Sequence, residues 1–231
     1  MNLFPKLKLG PKLTRFAYRI IDIEASAETA QPHERIIEYA FVIQKLHTIP
    51  VGKVLDVGCT ARFNYLPVAL ALLGWEVWGI DIREFKYKHP NFHLVLGDIR
   101  KTDFSDNFFD AVYAVSTLEH IGLSGRYGIT ENDPDGDTRA LEEIARILRP
   151  DGMLLCTVPY AREARVLKSL QRIYDQPALD RLFSNWTKKD QVWYCREDDG
   201  YWTPLSDKAA PKVENRDGES ALTMLELLPI K

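Results

Sequence analysis

Short apolar runs alternate with amphipathic stretches along most of this chain. Residues 53–57, 76–81, 93–97, 110–116 and 153–158 are rich in Val, Ile and Leu and predict strands, the fourth with the near-continuous apolar character of a strand buried on both faces. Between them the period changes. Over residues 32–49, Ile36, Ile37, Ala40, Phe41, Ile43 and Leu46 keep the spacing of one buried helix face, with Pro32 suited to the start and Pro50 as the stop. Residues 64–73 carry Leu66, Ala69, Leu70 and Leu73 and end at Gly74, a good left-handed cap. Residues 137–148 place Leu141, Ile144, Ala145 and Leu148 on one stripe, before a turn at Pro150-Asp151-Gly152. After Pro159 the pattern loosens. Residues 162–174 read as a helix, 177–183 as a short helix, and 191–196 and 222–228 as strands, with a long Asp-, Gly-, Pro- and Lys-rich loop over 197–219.

Strands alternating with helices at this rhythm predict an α/β fold with a doubly wound, mostly parallel sheet. Residues 32–231 read as a single domain, with 53–159 as its ligand-binding core and 160–231 as further strands and a cover on the same edge. Residues 1–31 differ. Lys6, Lys8, Lys12, Arg15 and Arg19 precede the first acid, Asp22, and alternate with Leu3, Phe4, Leu7, Leu9, Leu13 and Phe16. Pro5 and Gly10-Pro11 interrupt the apolar core a signal peptide needs. This basic arm either lies on the domain or offers a contact surface to an anionic partner: lipid headgroups, a sugar phosphate or another chain.

Composition narrows the class. A chain of 231 residues with 45% hydrophobic residues suits one α/β domain. A net charge of −3 argues against bulk nucleic-acid binding. No apolar run approaches the ~18–20 residues of a transmembrane segment. Cys59, Cys156 and Cys195 are odd in number and far apart, with neither a disulfide framework nor metal-ligand spacing, so a reduced, cytoplasmic chain is expected.

Three acids, Asp56, Asp81 and Asp98, stand at the ends of three consecutive predicted strands. In a parallel sheet those ends share one edge, so the acids converge on one crevice. Asp81 suits a ribose diol, which a carboxylate accepts in bidentate fashion. Asp98 suits an exocyclic amine such as that of adenine. A diphosphate is disfavoured, because the first turn has Gly58 but lacks the G-x-G-x-x-G pattern and carries Asp56. An adenosine with an amino-acid tail fits these groups.

Those residues also carry a resemblance. Leu55-Asp56-Val57-Gly58-Cys59, Gly79-Ile80-Asp81, Leu96-Gly97-Asp98-Ile99, Phe109-Asp110-Ala111-Val112, Leu118-Glu119-His120 and Ile147-Leu148-Arg149-Pro150-Asp151-Gly152 resemble, in order and spacing, the motifs of class I S-adenosylmethionine-dependent methyltransferases. The resemblance implies a seven-stranded Rossmann-like sheet with an antiparallel C-terminal strand. It implies S-adenosyl-L-methionine as cofactor and S-adenosyl-L-homocysteine as product. Asp56, Gly58, Cys59 and Thr60 would border the methionine end, and Asp81 the ribose. Ile82 would pack on the adenine, with Asp98 on its amine and the Ile99 N–H on a ring nitrogen. Ser116 would lie near the methyl group. Thr60 and Arg62 stand where the family has its second and third turn glycines, so either the turn is expected to run differently or the cofactor to sit slightly further out, with Arg62 either reaching the cofactor carboxylate or exposed. Ser116-Thr117-Leu118-Glu119-His120-Ile121-Gly122-Leu123, with Arg126-Tyr127-Gly128, is similar to a group associated with glycan synthesis, which implies a sugar or glycan-precursor hydroxyl as acceptor.

Methyl transfer to oxygen or nitrogen requires loss of a proton. His120, next to the expected methyl position, is the candidate base. Glu119, Arg126 and Tyr127 are candidates for the acceptor side, and Tyr160, Tyr174, Trp193, Tyr194 and Trp202 for stacking on a sugar ring. Asp133, Asp135 and Asp137 lack the closing glutamate of a calcium loop, so no metal is expected, and Asp137 is expected to cap the following helix. An RNA or protein acceptor and a catalytically inactive cofactor-binding subunit are the alternatives.

Overall fold

The computed structural model describes residues 33–60, 65–84, 88–125, 127–198, 200–215, 218 and 220–231. The basic arm, Arg62 and Arg126 lie outside the described residues. The first helix, α1, is Arg35–Leu46, followed by β1 (Lys53–Val57), α2 (Leu66–Leu72), β2 (Glu76–Asp81), β3 (Phe92–Leu96) and β4 (Phe109–Val115). A 3-10 turn over Leu118–His120 leads to α3 (Gly136–Ile147) and β5 (Leu148–Pro159). Then come β6 (Arg165–Leu167), β7 (Gln171–Ile173), α4 (Gln176–Leu182), β8 (Trp186–Arg196), β9 (Trp202–Leu205) and β10 (Ala221–Pro229).

Eight strands form one sheet in the order β3-β2-β1-β4-β5-β10-β8-β9. The first five are parallel, while β10 runs antiparallel to both β5 and β8. Period-two alternation divides the parallel strands between two cores. Leu55, Val57, Val112, Leu154 and Cys156 pack with Leu141, Ile144 and Ile147 of α3. Val54, Val77, Ala111, Tyr113 and Leu155 pack with Phe41, Val42 and Leu46 of α1 and Leu66 and Leu70 of α2. Helices thus cover both faces, as a doubly wound sheet requires.

Three expectations are corrected. The sheet has eight strands among the described residues rather than seven, because β9 lies within the stretch expected to be a loop. Pro204 interrupts its apolar pattern, yet β9 is an edge strand, where proline is tolerated. The predicted helix over 162–174 is instead the hairpin β6–β7. Val166, Leu167, Leu170 and Ile173 mimic a helical period, but Lys168 and Ser169 adopt φ of 49° and 55° in the three-residue connection 168–170, with Leu170 N–H donating to the Leu167 carbonyl. Such turns normally announce themselves through Asn or Gly. Finally, Asp137 lies within the first turn of α3 and not before it, with Oδ1 accepting from the Thr138 N–H at 2.9 Å. Its carboxylate accepts from the Tyr174 hydroxyl at 2.8 Å and lies 3.4 Å from Arg172 Nε.

Candidate active site at the carboxyl edge of the sheet

The ends of β3, β2, β1 and β4 lie side by side and open into one crevice. Its wall includes Asp98 and Ile99 after β3, Asp81 and Ile82 at β2, Gly58 after β1, and Ser116 after β4, with His120 and Tyr127 from the loop beyond. Three steps of about 4.8 Å between neighbouring strands separate the Asp98 end from the Ser116 end, roughly 14 Å in all. That is the length of a nucleoside with a short tail. Asp56, Cys59, Thr60 and Glu119 are not on this wall. Asp56 is 2% exposed and sits near Tyr39, Tyr113 and Cys59. Burial, with Asp56 nearby, pushes the Cys59 thiol and the Tyr113 hydroxyl up.

The first turn is fixed by its neighbours. Gly58 has φ of 83°, and a Cβ there would come within 2.5 Å of Thr117 Oγ1. Its N–H donates to the Ile80 carbonyl at 2.9 Å, tying the turn to β2. Cys59 turns inward against Gly79, where a Cβ would approach its Sγ to 2.7 Å. Thr60 then donates to Asp81 Oδ2 through both its N–H, at 3.0 Å, and its hydroxyl, at 2.8 Å. Thr60 therefore holds the acid at the end of β2.

Asp81 and Asp98 each also bind the arginine two residues later. Arg83 donates from its backbone N–H and Nε to Asp81 Oδ1, and from Nη2 to Oδ2. Its guanidinium carbon lies 4.0 Å from the centre of the Tyr127 ring. Arg100 binds Asp98 through Nε at 3.0 Å and reaches Asp133 through Nη1 at 2.6 Å. Burial raises the pKa of Asp81 and Asp98, but the Arg83 and Thr60 donors outweigh it for the first and the Arg100 donors for the second. Both carboxyls are held below the usual range. Asp133, paired with Arg100 and Arg139, is lowered to about 2. Asp133 and Asp137 thus have separate cationic partners, and among the described residues no cluster of three or more acidic, His or Cys side chains is arranged to hold a metal ion.

His120 Nδ1 lies 2.7 Å from the Leu170 carbonyl, in the turn between β6 and β7. A carbonyl only accepts, so that contact assigns the proton to Nδ1 and leaves the lone pair on Nε2 in the neutral ring. Nε2 is 3.6 Å from Glu119 Oε1, and Glu119 is buried. The hairpin also shapes the loop through Arg172, which donates to the Ile121 carbonyl at 2.7 Å and the Pro134 carbonyl at 2.9 Å.

Arg83 and Arg100 on the wall, and Arg35 and Glu38 from α1, were not singled out in the sequence. Glu38 is fully buried and lies on the same α1 face as Phe41 and Val42. An acid three and four residues before two buried apolar side chains was the available signal. The aromatic stacking candidates are dispersed instead: Tyr160 and Tyr174 are buried core residues, and Trp193 packs 6.3 Å from Tyr160 between ring centres.

Residues 55–156 match the family model described as a methyltransferase domain. The chain is 33% identical over 165 residues to demethylmenaquinone methyltransferase of Staphylococcus haemolyticus, covering 66% of this chain and 63% of that protein. It is 29% identical over 142 residues to sterol 24-C-methyltransferase of Yarrowia lipolytica, covering 56% and 32%. The chain therefore spans less than two thirds of either relative. In fold it is similar to 1,6-didemethyltoxoflavin-N1-methyltransferase of Burkholderia thailandensis, solved with bound S-adenosylhomocysteine (TM-score 0.59, 14% identity, 99% of this chain and 94% of that one). It is also similar to the cyclase SpnF (TM-score 0.55, 17% identity, 84% and 80%). The same architecture thus occurs in proteins named for different reactions.

Proposed function

We propose that this chain, whose residues 55–156 match a methyltransferase domain of the S-adenosylmethionine-dependent class, moves a methyl group from S-adenosylmethionine to a small-molecule acceptor. The observation that carries this reading is the order of groups along the crevice: Asp98, Asp81, Gly58 and Ser116 on four adjacent strand ends. That order fits adenine, ribose, the methionine end and the methyl group in turn. Gly58 is needed by the turn itself, since any Cβ there would meet Thr117. Asp81 is suited to the ribose diol once the half-exposed Arg83 side chain yields its place.

When bound, the cofactor supplies an electrophilic methyl group on a sulfonium, whose sulfur leaves neutral. The protein's part is alignment of the acceptor and removal of its proton. His120 Nε2 takes that proton, with Nδ1–H kept on the Leu170 carbonyl. Burial of Ile80 and Ile99 behind the crevice limits water at the nucleoside end.

The acceptor proposed is a sugar or glycan-precursor hydroxyl, supported by the Ser116-to-Leu123 motif and by a histidine placed to take a hydroxyl proton. A second reading, a quinone or sterol acceptor, is favoured by the names of two relatives. Calorimetric titration with S-adenosylmethionine and S-adenosylhomocysteine tests the cofactor. Product analysis with nucleotide sugars and demethylated quinones in parallel tests the acceptor. Methylation of the quinone alone would transfer the chain to the second reading.

A further inference from the structure

Among the described residues three arginines line the crevice: Arg35, Arg83 and Arg100. They are not held alike. Arg35 pairs with Glu38 and donates to Ser116 Oγ, and Arg100 is divided between Asp98 and Asp133. Arg83 has a single acidic partner among the described residues, Asp81, and that is the carboxylate suited to a ribose diol. Its Nε and Nη2 hold the two oxygens of Asp81, while Nη1 makes no hydrogen bond among the described residues. A ligand that takes Asp81 therefore leaves the whole N–H fork of Arg83 without an acceptor.

A second contact keeps that fork at the crevice. The guanidinium carbon lies 4.0 Å from the centre of the Tyr127 ring, and a contact with the ring face uses none of the N–H donors. Tyr127 is itself fixed. It has φ of 57° and is followed by Gly128 at φ of 76°, so two successive left-handed residues set the direction of its side chain. The base of its loop is tied by the Asp133 N–H on the Gly122 carbonyl at 2.7 Å, by the Ser124 N–H on Asn132 Oδ1 at 2.9 Å and by Arg172 on the Ile121 and Pro134 carbonyls. The same ring meets His120 nearly edge-on, with centres 6.4 Å apart and planes at 88°. Tyr127 thus touches both the residue proposed to take the acceptor's proton and the cation that the cofactor would set free.

We infer that Arg83, carried on the Tyr127 ring, is an oxyanion site for the acceptor that forms when the cofactor binds. The inference rests on the S-adenosylmethionine reading. The ribose diol takes Asp81, the guanidinium stays on the ring, and its N–H fork receives a phosphate or carboxylate group of the acceptor. A hydroxyl of the same molecule then faces His120 Nε2. A guanidinium binds either oxyanion through two parallel N–H donors, which fixes orientation as well as charge. The acceptor is therefore an anionic molecule, and an uncharged one would leave the fork empty. Both ligands draw on the one Asp81–Arg83 contact, so each tightens the other by the same factor.

The test uses that reciprocity. S-adenosylhomocysteine is titrated calorimetrically into the full chain in potassium chloride, potassium phosphate and potassium acetate at equal pH and ionic strength. The wild type is expected to bind it at least threefold more tightly in phosphate or in acetate than in chloride, and the more effective salt names the acceptor's anionic group. Arg83→Met is expected to bind S-adenosylhomocysteine equally in all three salts, and that binding also reports a folded crevice. Tyr127→Leu is expected to lose most of the salt effect. Should Arg83→Met fail to fold, Arg83→Gln is read by the same ratio. Equal affinity of the wild type in the three salts, weaker binding in both oxyanions, or a salt effect that survives in Arg83→Met overturns the site while leaving the cofactor reading intact. Failure of the wild type to bind S-adenosylhomocysteine in any salt overturns the cofactor reading itself, and the oxyanion site with it.

Discussion

Arg83 grips both carboxylate oxygens of Asp81, through Nε at 3.0 Å and Nη2 at 3.1 Å, while its guanidinium lies against the ring of Tyr127. With the Arg83 N–H and the two Thr60 donors, Asp81 receives five hydrogen bonds. A carboxylate has about four lone-pair sites. A ribose diol brings two more donors, so it competes with the arginine side chain for the same oxygens.

Arg83→Met is therefore predicted to tighten binding of S-adenosylhomocysteine, by roughly 5- to 30-fold, in line with the ~1–2 kcal/mol of a charged hydrogen bond that no longer has to be exchanged. Calorimetric titration of the wild type and the variant measures it. Weaker binding in the variant would make Arg83 a ligand contact instead of a competitor.

His120→Ala is predicted to lower kcat by about 10²- to 10⁴-fold, the usual contribution of a positioned base, and to leave S-adenosylhomocysteine affinity within a few-fold. The hydrogen bond from Nδ1 to the Leu170 carbonyl makes the ring orientation depend on the β6–β7 turn. Loss of cofactor affinity with unchanged kcat at saturation would remove His120 from the proton-transfer role.

A pH effect on stability follows from Glu143. Arg146, then Thr102, donate to its carboxylate and hold it at about 2, against the opposing effect of burial. Because the folded value lies below the unfolded one, the unfolded chain binds more protons between them. The contribution is complete above about pH 5 and is lost as pH falls toward 2. Screened by solvent at this surface position, it is of the order of 1 kcal/mol at neutral pH. Urea denaturation of wild type and Glu143→Gln should show a gap at pH 7 that has roughly halved by pH 3. A constant gap across that range contradicts the assignment.

Gly79→Ala is predicted to destabilise the domain by about 1–3 kcal/mol through overpacking, since the new Cβ meets Cys59 Sγ at 2.7 Å and Phe92 Cζ at 3.0 Å. Adding Cys59→Ala should recover part of that loss. Thermal denaturation of the two variants and the pair measures it, and simple additivity of the two single changes would show that the contact is not the cause.

The parallel half of the fold was legible because its strands and helices keep their periods cleanly. Glu76–Asp81 and Lys53–Val57 appear at the expected bounds. The convergence of Asp81 and Asp98 was legible for a topological reason, as parallel strand ends must share an edge. What escaped depended on contacts between distant residues. Nothing local in Lys168-Ser169 announces a tight turn, and a helical spacing around it pointed elsewhere. Nothing in Asp81-Ile82-Arg83 reveals that the arginine folds back on the acid. Glu38 looked like one polar residue on an amphipathic helix until Ser116 and Thr157, 78 and 119 residues away, were seen to share its carboxylate.

The central claim is that the crevice beyond β1, β2 and β3 holds the nucleoside of S-adenosylmethionine through Asp81. The most direct measurement is calorimetric titration of S-adenosylhomocysteine into the full wild-type chain and into Asp81→Asn. Saturable one-to-one binding to the wild type, weakened about 10- to 100-fold in the variant, is the predicted result. No binding to the wild type at millimolar ligand, or equal affinity in the two proteins, would contradict the account.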